Sequence, residues 1–151
     1  MAVASVGDRA TAETEITADS IETFAELSGD TNPLHLDEEY AAETTFGRRI
    51  AHGILTAGVI SAALATLPGD VIYLEQQLEF EAPVFPGDTV VGTALVTEQL
   101  GGDRLCVETT ATVPEREKTV LSGEAIVLSV PHNDGCRHLP DRSATGGAID
   151  R

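Results

Sequence analysis

Residues 53 to 67, GILTAGVISAALATL, form a run of apolar and small side chains that ends at Pro68 and Gly69. A helix over this run would be apolar on every side, so it has to be buried inside the domain. The run is shorter than the roughly 18 apolar residues that a membrane-spanning helix needs. The sequence therefore predicts one buried central helix around which the rest of the chain folds.

From Val71 onward, the apolar residues recur with the period of two that is typical of strands. In VIYLEQQLEFEAPV this period places Ile72, Leu74, Leu78 and Phe80 on one face. Three more β-rich runs follow, namely TVVGTALVTEQL, RLCVETTATV and TVLSGEAIVLSV. Four long adjacent strands most simply form an antiparallel meander. We therefore predict an α+β fold in which a curved antiparallel sheet wraps its apolar face around the buried central helix.

Shorter elements are predicted before the central helix. Residues 9 to 17 could form a weak edge strand. The apolar spacing in DSIETFAELSG predicts a helix that Asp19 caps and Gly29 ends. The segment DEEYAAET predicts a second short helix with Asp37 as its cap.

The chain is strongly acidic, with 25 acidic residues against nine basic ones and a net charge of -16. Such a surface repels nucleic acid and anionic membranes. We interpret the charge as the solvated surface of a halophilic protein, because high salt screens the self-repulsion. The N-terminus has no basic region followed by an apolar one, so we expect the protein in the cytoplasm.

The polar end of the chain is predicted to stand apart from the fold. We expect one folded domain over residues 1 to 130 and a disordered tail over residues 131 to 151. The tail contains His132, Cys136 and His138, but a fourth metal ligand is missing. We therefore predict no metal site, and the two cysteines of the chain do not make a disulfide framework.

The segment SGDTNPLH, residues 28 to 35, holds an acid and an imidazole on a stiff connector. Pro33 restricts its own backbone and that of the preceding residue. Asp30 and His35 could therefore be held on one reacting water, as general acid–base chemistry requires. The alternative is a plain turn, in which Asp30 makes a local hydrogen bond and His35 is a satisfied histidine. Taken alone, the spacing favours the plain turn.

A second segment, RRIAHGILTAGVIS, changes that balance. His52 and Gly53 stand at the start of the buried helix, where free N–H groups and the positive end of the dipole lie. A carbonyl oxygen that gains negative charge would be stabilised there, and glycine lets it approach the backbone. The alternative is that Gly53 permits a tight turn into the helix while His52 packs as a partly buried ring. Both interpretations can hold together.

These segments together resemble a known family. FAELSGDTNPLHLDEEYAAETTFGRRIAHGILTAGVIS, residues 24 to 61, resembles the hydratase motif of the MaoC-like hot-dog dehydratases, and most closely the (R)-specific enoyl-CoA hydratases. QLEFEAPVFPGDTV, residues 77 to 90, resembles the following strand of the same family. The resemblance implies the hot-dog fold and a homodimer with an acyl-CoA thioester as substrate. No cofactor is expected, because hydration changes no oxidation state.

The resemblance also implies the site residues. Asp30 and His35 would be the catalytic pair, although the order in which they handle the proton stays open. The Gly53 N–H would bind the thioester carbonyl, and Ser61 would lie near the catalytic groups as a substrate-binding residue. From their places in the two segments, Asn32 and His52 are also predicted to bind substrate. Asn32 could orient the water, or it could simply favour the turn. Arg48 and Arg49 could meet the CoA phosphates or be ordinary surface arginines.

The predicted reaction is the reversible hydration of trans-2-enoyl-CoA to (R)-3-hydroxyacyl-CoA, in fatty acid or polyhydroxyalkanoate metabolism. One alternative is a hot-dog acyl-CoA thioesterase, and another is a MaoC-like dehydratase of a branched hydroxyacyl-CoA. A third is a non-catalytic acyl-CoA-binding or acyl-carrier-binding subunit, which would lack one of the two catalytic groups. A thioesterase releases CoA thiol, whereas a hydratase removes the conjugated enoyl absorbance without releasing any.

Overall fold

The computed structural model describes residues 2 to 132. In chain order the elements are β1 (Arg9–Glu15), α1 (Ala18–Ser28), α2 (Pro33–Leu36), α3 (Glu38–Ala42), α4 (Gly53–Ala65), β2 (Asp70–Phe80), β3 (Thr89–Gln99), β4 (Arg104–Val113), a 3₁₀ turn (Pro114–Arg116) and β5 (Lys118–Val130). The α+β class predicted from the sequence is confirmed, and so is the first strand at an edge of the sheet.

The strands of residues 2 to 132 form one antiparallel sheet in the order β1-β3-β4-β5-β2. The predicted four-strand meander is wrong for β2, which pairs with β5 instead of β3. Residues 81 to 88 do not turn back as a hairpin but cross the end of the sheet. The Glu81 N–H donates to the Val120 carbonyl at one end of this crossing, and the Ile16 N–H donates to the Asp88 carbonyl at the other.

The central helix α4 packs on one face of the sheet at a position that requires glycine. A Cβ on Gly92 of β3 would lie 2.7 Å from the carbonyl oxygen of Val59 in α4. The inward face of α4 is buried through Val59 and Ile60 among others, whereas Ile54 is 62% exposed and Ser61 is also exposed. The prediction of burial on every side is therefore wrong for a single chain, because one sheet covers only one face of the helix.

A β-bulge in β2 changes the face on which its first apolar residues lie. The pairing with β5 shifts between Tyr73 and Glu75, so Leu74 is an extra residue. An extra residue reverses the alternation of faces along a strand. Tyr73, and not Leu74, therefore pairs with the buried Val127. The predicted single apolar face of β2 is wrong at its start for this reason.

The helix ends follow local capping rules. Thr17 caps α1, since its hydroxyl accepts a hydrogen bond from the Ser20 N–H at 3.0 Å in a capping box. The predicted cap at Asp19 is therefore wrong, and that residue lies in the first turn instead. Gly29 ends α1 with a positive φ of 83°, and Asp37 caps α3, both as predicted.

The end of the domain is described only as far as His132, whose ring contacts the carboxylate of Asp70. Cys136 and His138 lie outside the described residues, as does most of the tail predicted over residues 131 to 151. Among residues 2 to 132, no helix is long and apolar enough to cross a membrane. The cytoplasmic location stays a prediction.

Candidate active site

The loop between α1 and α2 is held by short local hydrogen bonds. The Asp30 N–H donates to the Ser28 hydroxyl at 3.1 Å, and an Asp30 carboxylate oxygen accepts the Asn32 N–H at 3.3 Å. The Asn32 side-chain oxygen accepts the Leu34 N–H at 3.1 Å and caps α2, which begins at Pro33. The local turn contacts expected of a plain turn are thus present, and they make the loop stiff.

The ring of His35 is fixed by a backbone contact from outside this loop. Its Nδ1 lies 2.7 Å from the carbonyl oxygen of Ile50, and the residue is only 9% exposed. A carbonyl oxygen can only accept, so Nδ1 carries the hydrogen, and the neutral ring keeps its lone pair on Nε2. His35 therefore keeps Nε2 as an acceptor for a proton, which a histidine satisfied at both nitrogens would not.

His52 holds both members of the predicted pair. Its ring stacks on that of His35, with centroids 3.9 Å apart, and its Nε2–H donates to the backbone carbonyl of Asp30 at 2.9 Å. His52 is 3% exposed, and within residues 2 to 132 its buried Nδ1 has no hydrogen-bond partner. This geometry gives His52 a positioning role, whereas its predicted contact with substrate stays a prediction.

The three side chains form one compact cluster. Asp30, His35 and His52 each place one carboxylate or imidazole atom within 4.8 Å of the others. Two groups at such spacing can hold one water between them. A metal fits less well, because one nitrogen of each imidazole already contacts a carbonyl oxygen and the other His52 nitrogen is buried. The Asp30 carboxylate and His35 Nε2 remain, which are fewer ligands than zinc sites use.

A cavity of about 410 Å³ opens beside His35, within the size range of small-molecule sites. Gly53 lies in its wall, so the start of α4 faces the cavity. Most of the remaining wall is apolar. It includes Phe46, Ile54, Phe80, Val84, Val120 and Leu121. The cavity can therefore hold an apolar chain whose polar end meets His35 and the start of α4.

The start of α4 is shaped by Gly53 and Phe80. A Cβ on Gly53 would lie 2.4 Å from Cε1 of the Phe80 ring, so a side chain at this position would displace that ring. His52 is the N-cap residue, but within the described residues its side chain makes no cap hydrogen bond. The His52 side chain therefore does not occupy the first N–H groups of α4, and such groups commonly bind ligands at helix N-termini.

Ser61 is not brought to the cluster in a single chain. It lies on the exposed outer face of α4, roughly 12 Å along the helix axis from Gly53. The structure therefore places Asp30, His35 and Gly53 together and leaves Ser61 apart. The side-chain oxygen of Asn32 is engaged in capping, and its predicted contact with substrate stays a prediction.

A second stiff segment contributes Pro83 and Val84 to the cavity wall, and we name its residues 83 to 88 the PGD turn. The Asp88 carboxylate accepts the Phe85 N–H at 2.8 Å and an Arg116 N–H at 2.6 Å. The guanidinium groups of Arg48 and Arg116 lie 4.7 and 5.1 Å from the centre of the Phe85 ring. The sequence predicted no functional role for this turn. No local pattern reveals that Asp88 pairs with Arg116, because the two residues are far apart in the chain.

Comparison with solved structures confirms the predicted hot-dog fold. The structure of an R-hydratase from Pseudomonas aeruginosa matches with a TM-score of 0.78 and 38% identity, over 87% of this chain and 88% of that one. The (R)-hydratase from A. caviae, which is involved in PHA biosynthesis, matches with a TM-score of 0.77 and 36% identity, over 84% of this chain and 97% of that one.

The sequence comparisons define the family. The model described as "MaoC like domain" matches residues 4–117. An (R)-specific enoyl-CoA hydratase from Rhodospirillum rubrum is 47% identical over 125 residues, which is 81% of this chain and 85% of the relative. A 3-hydroxybutyryl-CoA dehydratase from Methylorubrum extorquens is 43% identical over 136 residues, 89% of this chain and 85% of the relative. The chain belongs to the MaoC-like family.

Proposed function

We propose that this protein is a hydro-lyase that catalyses the reversible hydration of trans-2-enoyl-CoA to (R)-3-hydroxyacyl-CoA. The observation that carries this proposal is the cluster of Asp30 and His35, with atoms within 4.8 Å of each other, beside an apolar cavity at the start of α4. The relatives named as a hydratase and as a dehydratase support the same reaction in its two directions.

The substrate carbonyl is the first group to be placed. In the proposed complex the thioester oxygen accepts a hydrogen bond from the Gly53 N–H at the start of α4. The positive end of the helix dipole adds to this contact. Both effects draw electron density away from Cβ and stabilise the enolate-like intermediate. The acyl chain then extends along the apolar wall of the cavity.

The water is held between the Asp30 carboxylate and Nε2 of His35. Its oxygen forms the new bond to Cβ while one of its protons passes to the pair. That proton is then delivered to Cα, so the atoms of the water end in the product and no electrons are exchanged. His52 keeps the Asp30 carbonyl and the His35 ring in place, and Asn32 orients the water through its side-chain amide.

We also propose that the protein works as a homodimer. β2 is at an edge of the sheet, and its Tyr73 and Phe80 are 41% and 56% exposed. The outer face of α4 is similarly uncovered, with Ile54 at 62% exposed and Ser61 exposed about two helical turns further along. Exposed apolar surface next to an open strand edge favours pairing with a second copy. Ser61 lies on the face that this second copy would meet.

The dimer is tested by the mass of the protein in solution. Light scattering during gel filtration is expected to give twice the mass of one chain. Tyr73→Lys places a charge on the proposed contact and is expected to give the mass of one chain, because burial of an unpaired charge is costly. Arg104→Gln on β4 serves as the control and is expected to stay dimeric. A wild-type mass of one chain would contradict the dimer.

We propose fatty acid or polyhydroxyalkanoate metabolism as the pathway, since the A. caviae relative is involved in PHA biosynthesis. The net charge of -16 supports a high-salt habitat, because screening relieves self-repulsion. Circular dichroism after dialysis into low salt tests the habitat. Loss of secondary structure is expected, and an unchanged spectrum would contradict it.

The reaction is tested by following crotonyl-CoA with two readouts. Absorbance of the conjugated enoyl group is expected to fall, while a thiol reagent detects no free CoA. Chiral analysis of the product is expected to give the (R)-3-hydroxyacyl thioester. Release of thiol would favour the thioesterase, and activity confined to branched substrates would favour the branched hydroxyacyl-CoA dehydratase. Binding without turnover would favour a non-catalytic acyl-CoA-binding subunit.

A further inference from the structure

We propose that Arg48 binds a phosphate group of the CoA moiety outside the mouth of the acyl cavity, an inference that rests on the proposed function. The pantetheine arm separates the thioester from the phosphates, so the phosphate contact has to lie beyond the cavity. Arg48 is exposed and stands between Phe46 and Ile50, which both lie in the cavity wall. Residues 48 to 53 span at most about 18 Å when extended, which keeps Arg48 near the carbonyl site at Gly53.

The side chain of Arg48 connects the segment of Phe46 and Ile50 to the PGD turn. One of its terminal nitrogens donates to the Pro86 carbonyl at 3.1 Å. Its guanidinium carbon lies 4.7 Å from the centre of the Phe85 ring. A guanidinium has five N–H donors. The hydrogen bond to Pro86 uses one of them, and the others can donate to a phosphate. A guanidinium that is already held in place loses less freedom on binding.

The charge around Arg48 is positive, against the balance of the chain. Arg116 lies over the same ring but is neutralised by Asp88 at 2.6 Å. Within residues 2 to 132, Arg48 forms no ion pair with a carboxylate. The cluster of Arg48, Arg116 and Asp88 therefore carries one net positive charge in a chain whose net charge is -16. A polyanionic substrate gains most from the cation whose charge is not neutralised by a carboxylate.

The neighbouring Arg49 does not offer the same contact. Its side chain is 11% exposed and is held by Glu38 at 2.9 Å and by Glu22 at 3.7 Å. It also reaches the backbone carbonyl of His35 at 3.5 Å. From the sequence, Arg48 and Arg49 had the same two possible roles, but in the structure only Arg49 is paired with carboxylates. Arg49 braces the loop of the catalytic pair, while Arg48 faces solvent.

The inference is tested with two thioesters of the same acyl group. Crotonyl-CoA carries the phosphates, whereas the crotonyl thioester of N-acetylcysteamine lacks them. For Arg48→Gln, we expect KM for crotonyl-CoA to rise about tenfold with kcat within about twofold of wild type. We expect no change in either constant for the truncated thioester, because it cannot contact Arg48. Arg48→Lys, which keeps the charge, is expected to restore part of the affinity.

Arg104→Gln is the matched control. Arg104 is exposed and pairs with Leu128, roughly 23 Å along β5 from Leu121 in the cavity wall. Its substitution is expected to change KM for crotonyl-CoA by less than about twofold. An equal loss with both thioesters in Arg48→Gln would overturn the phosphate contact, because it would show that Arg48 only braces the PGD turn. An unchanged KM for crotonyl-CoA would overturn it as well.

Calorimetric binding of CoA itself separates this inference from the proposed function. Arg48→Gln is expected to weaken binding about tenfold, while Arg104→Gln leaves it unchanged. If wild type failed to hydrate either thioester but kept this difference in binding, the proposed function would fail and the contact would stand. Equal dissociation constants for wild type and Arg48→Gln would overturn the contact whatever the activity.

Discussion

The loop of residues 28 to 35 and the PGD turn are both stiff, both contain proline and both border the cavity, but they differ in what they leave unpaired. In the first, Nε2 of His35 keeps a lone pair and the carboxylate of Asp30 is exposed. In the second, the Asp88 carboxylate is taken by a backbone N–H and by Arg116. Stiffness alone therefore does not mark a reactive segment.

The difference lies in where the rigidity comes from. Asp30 and His35 are held largely through backbone atoms, by the carbonyl contact of His52 and by that of Ile50. Nε2 of His35 and the second carboxylate oxygen of Asp30 are thereby left for substrate and water. The PGD turn is held by backbone contacts and also by the side chains of Asp88 and Arg116, so the carboxylate and the guanidinium are engaged with each other. Substitutions in the two segments should accordingly affect different quantities, namely rate in the first and stability in the second.

The largest effect is expected for His35→Asn. The amide nitrogen of asparagine can take the place of Nδ1 and keep the hydrogen bond to Ile50, but nothing replaces Nε2. We expect kcat for crotonyl-CoA hydration to fall at least about a hundredfold, while the free energy of unfolding changes by about 1 kcal/mol or less. Stopped assays and urea unfolding measure the two quantities. A folded variant with near wild-type kcat would show that His35 takes no part in the proton transfer.

Asp88→Ala should reverse that pattern. It removes the acceptor of the Phe85 N–H and leaves the partly buried Arg116 without its carboxylate. We expect the free energy of unfolding to drop by about 2 kcal/mol, measured by urea unfolding. The expected change in kcat is smaller than that for His35→Asn. A hundredfold loss of kcat at unchanged stability would abolish the distinction between the two segments.

His52→Ala removes the donor that holds the Asp30 carbonyl. We expect kcat to fall about tenfold, because the pair loses part of its alignment. His52→Gln can place an amide N–H near the position of Nε2, so it is expected to recover most of that loss. Measuring both variants at saturating crotonyl-CoA separates positioning from a direct role. If glutamine failed to rescue while the fold was intact, the imidazole itself would be required.

The smallest effect is expected for Asn32→Ser. Serine also caps helices well, so the cap of α2 is kept and the free energy of unfolding should not change. Loss of the side-chain amide that we propose for orienting the water is expected to lower kcat about fivefold, equivalent to about 1 kcal/mol. Unchanged kinetics would show that Asn32 serves only as the cap.

Local patterns predicted the parts of this molecule that depend on neighbours in sequence. Gly29 and Asp37 end and begin their helices as expected, because capping involves residues a few positions away. The four strands after α4 were also predicted, because apolar and polar residues alternate within each of them. Asp19 was mistaken for a cap because Thr17, two residues earlier, satisfies the same rule with better geometry.

The features that sequence reasoning missed depend on contacts between distant residues. The bulge at Leu74 follows from pairing with β5 and leaves no mark on the local pattern. The Ile50 carbonyl that sets the His35 tautomer is 15 residues away, and Arg116 is 28 residues from Asp88. The site residues are predicted mainly from the resemblance, whereas the contacts that orient their side chains required the fold.

The most direct test of the central claim is a double-mutant cycle on Asp30 and His35 with crotonyl-CoA as substrate. Asp30→Asn and His35→Asn are measured singly and together, with urea unfolding to verify that each protein is folded. If the two groups act on one water as a unit, each single variant loses at least about a hundredfold, and the double variant is at most about tenfold worse than the slower single one. Losses that multiply, or single variants that keep wild-type activity, would contradict the account.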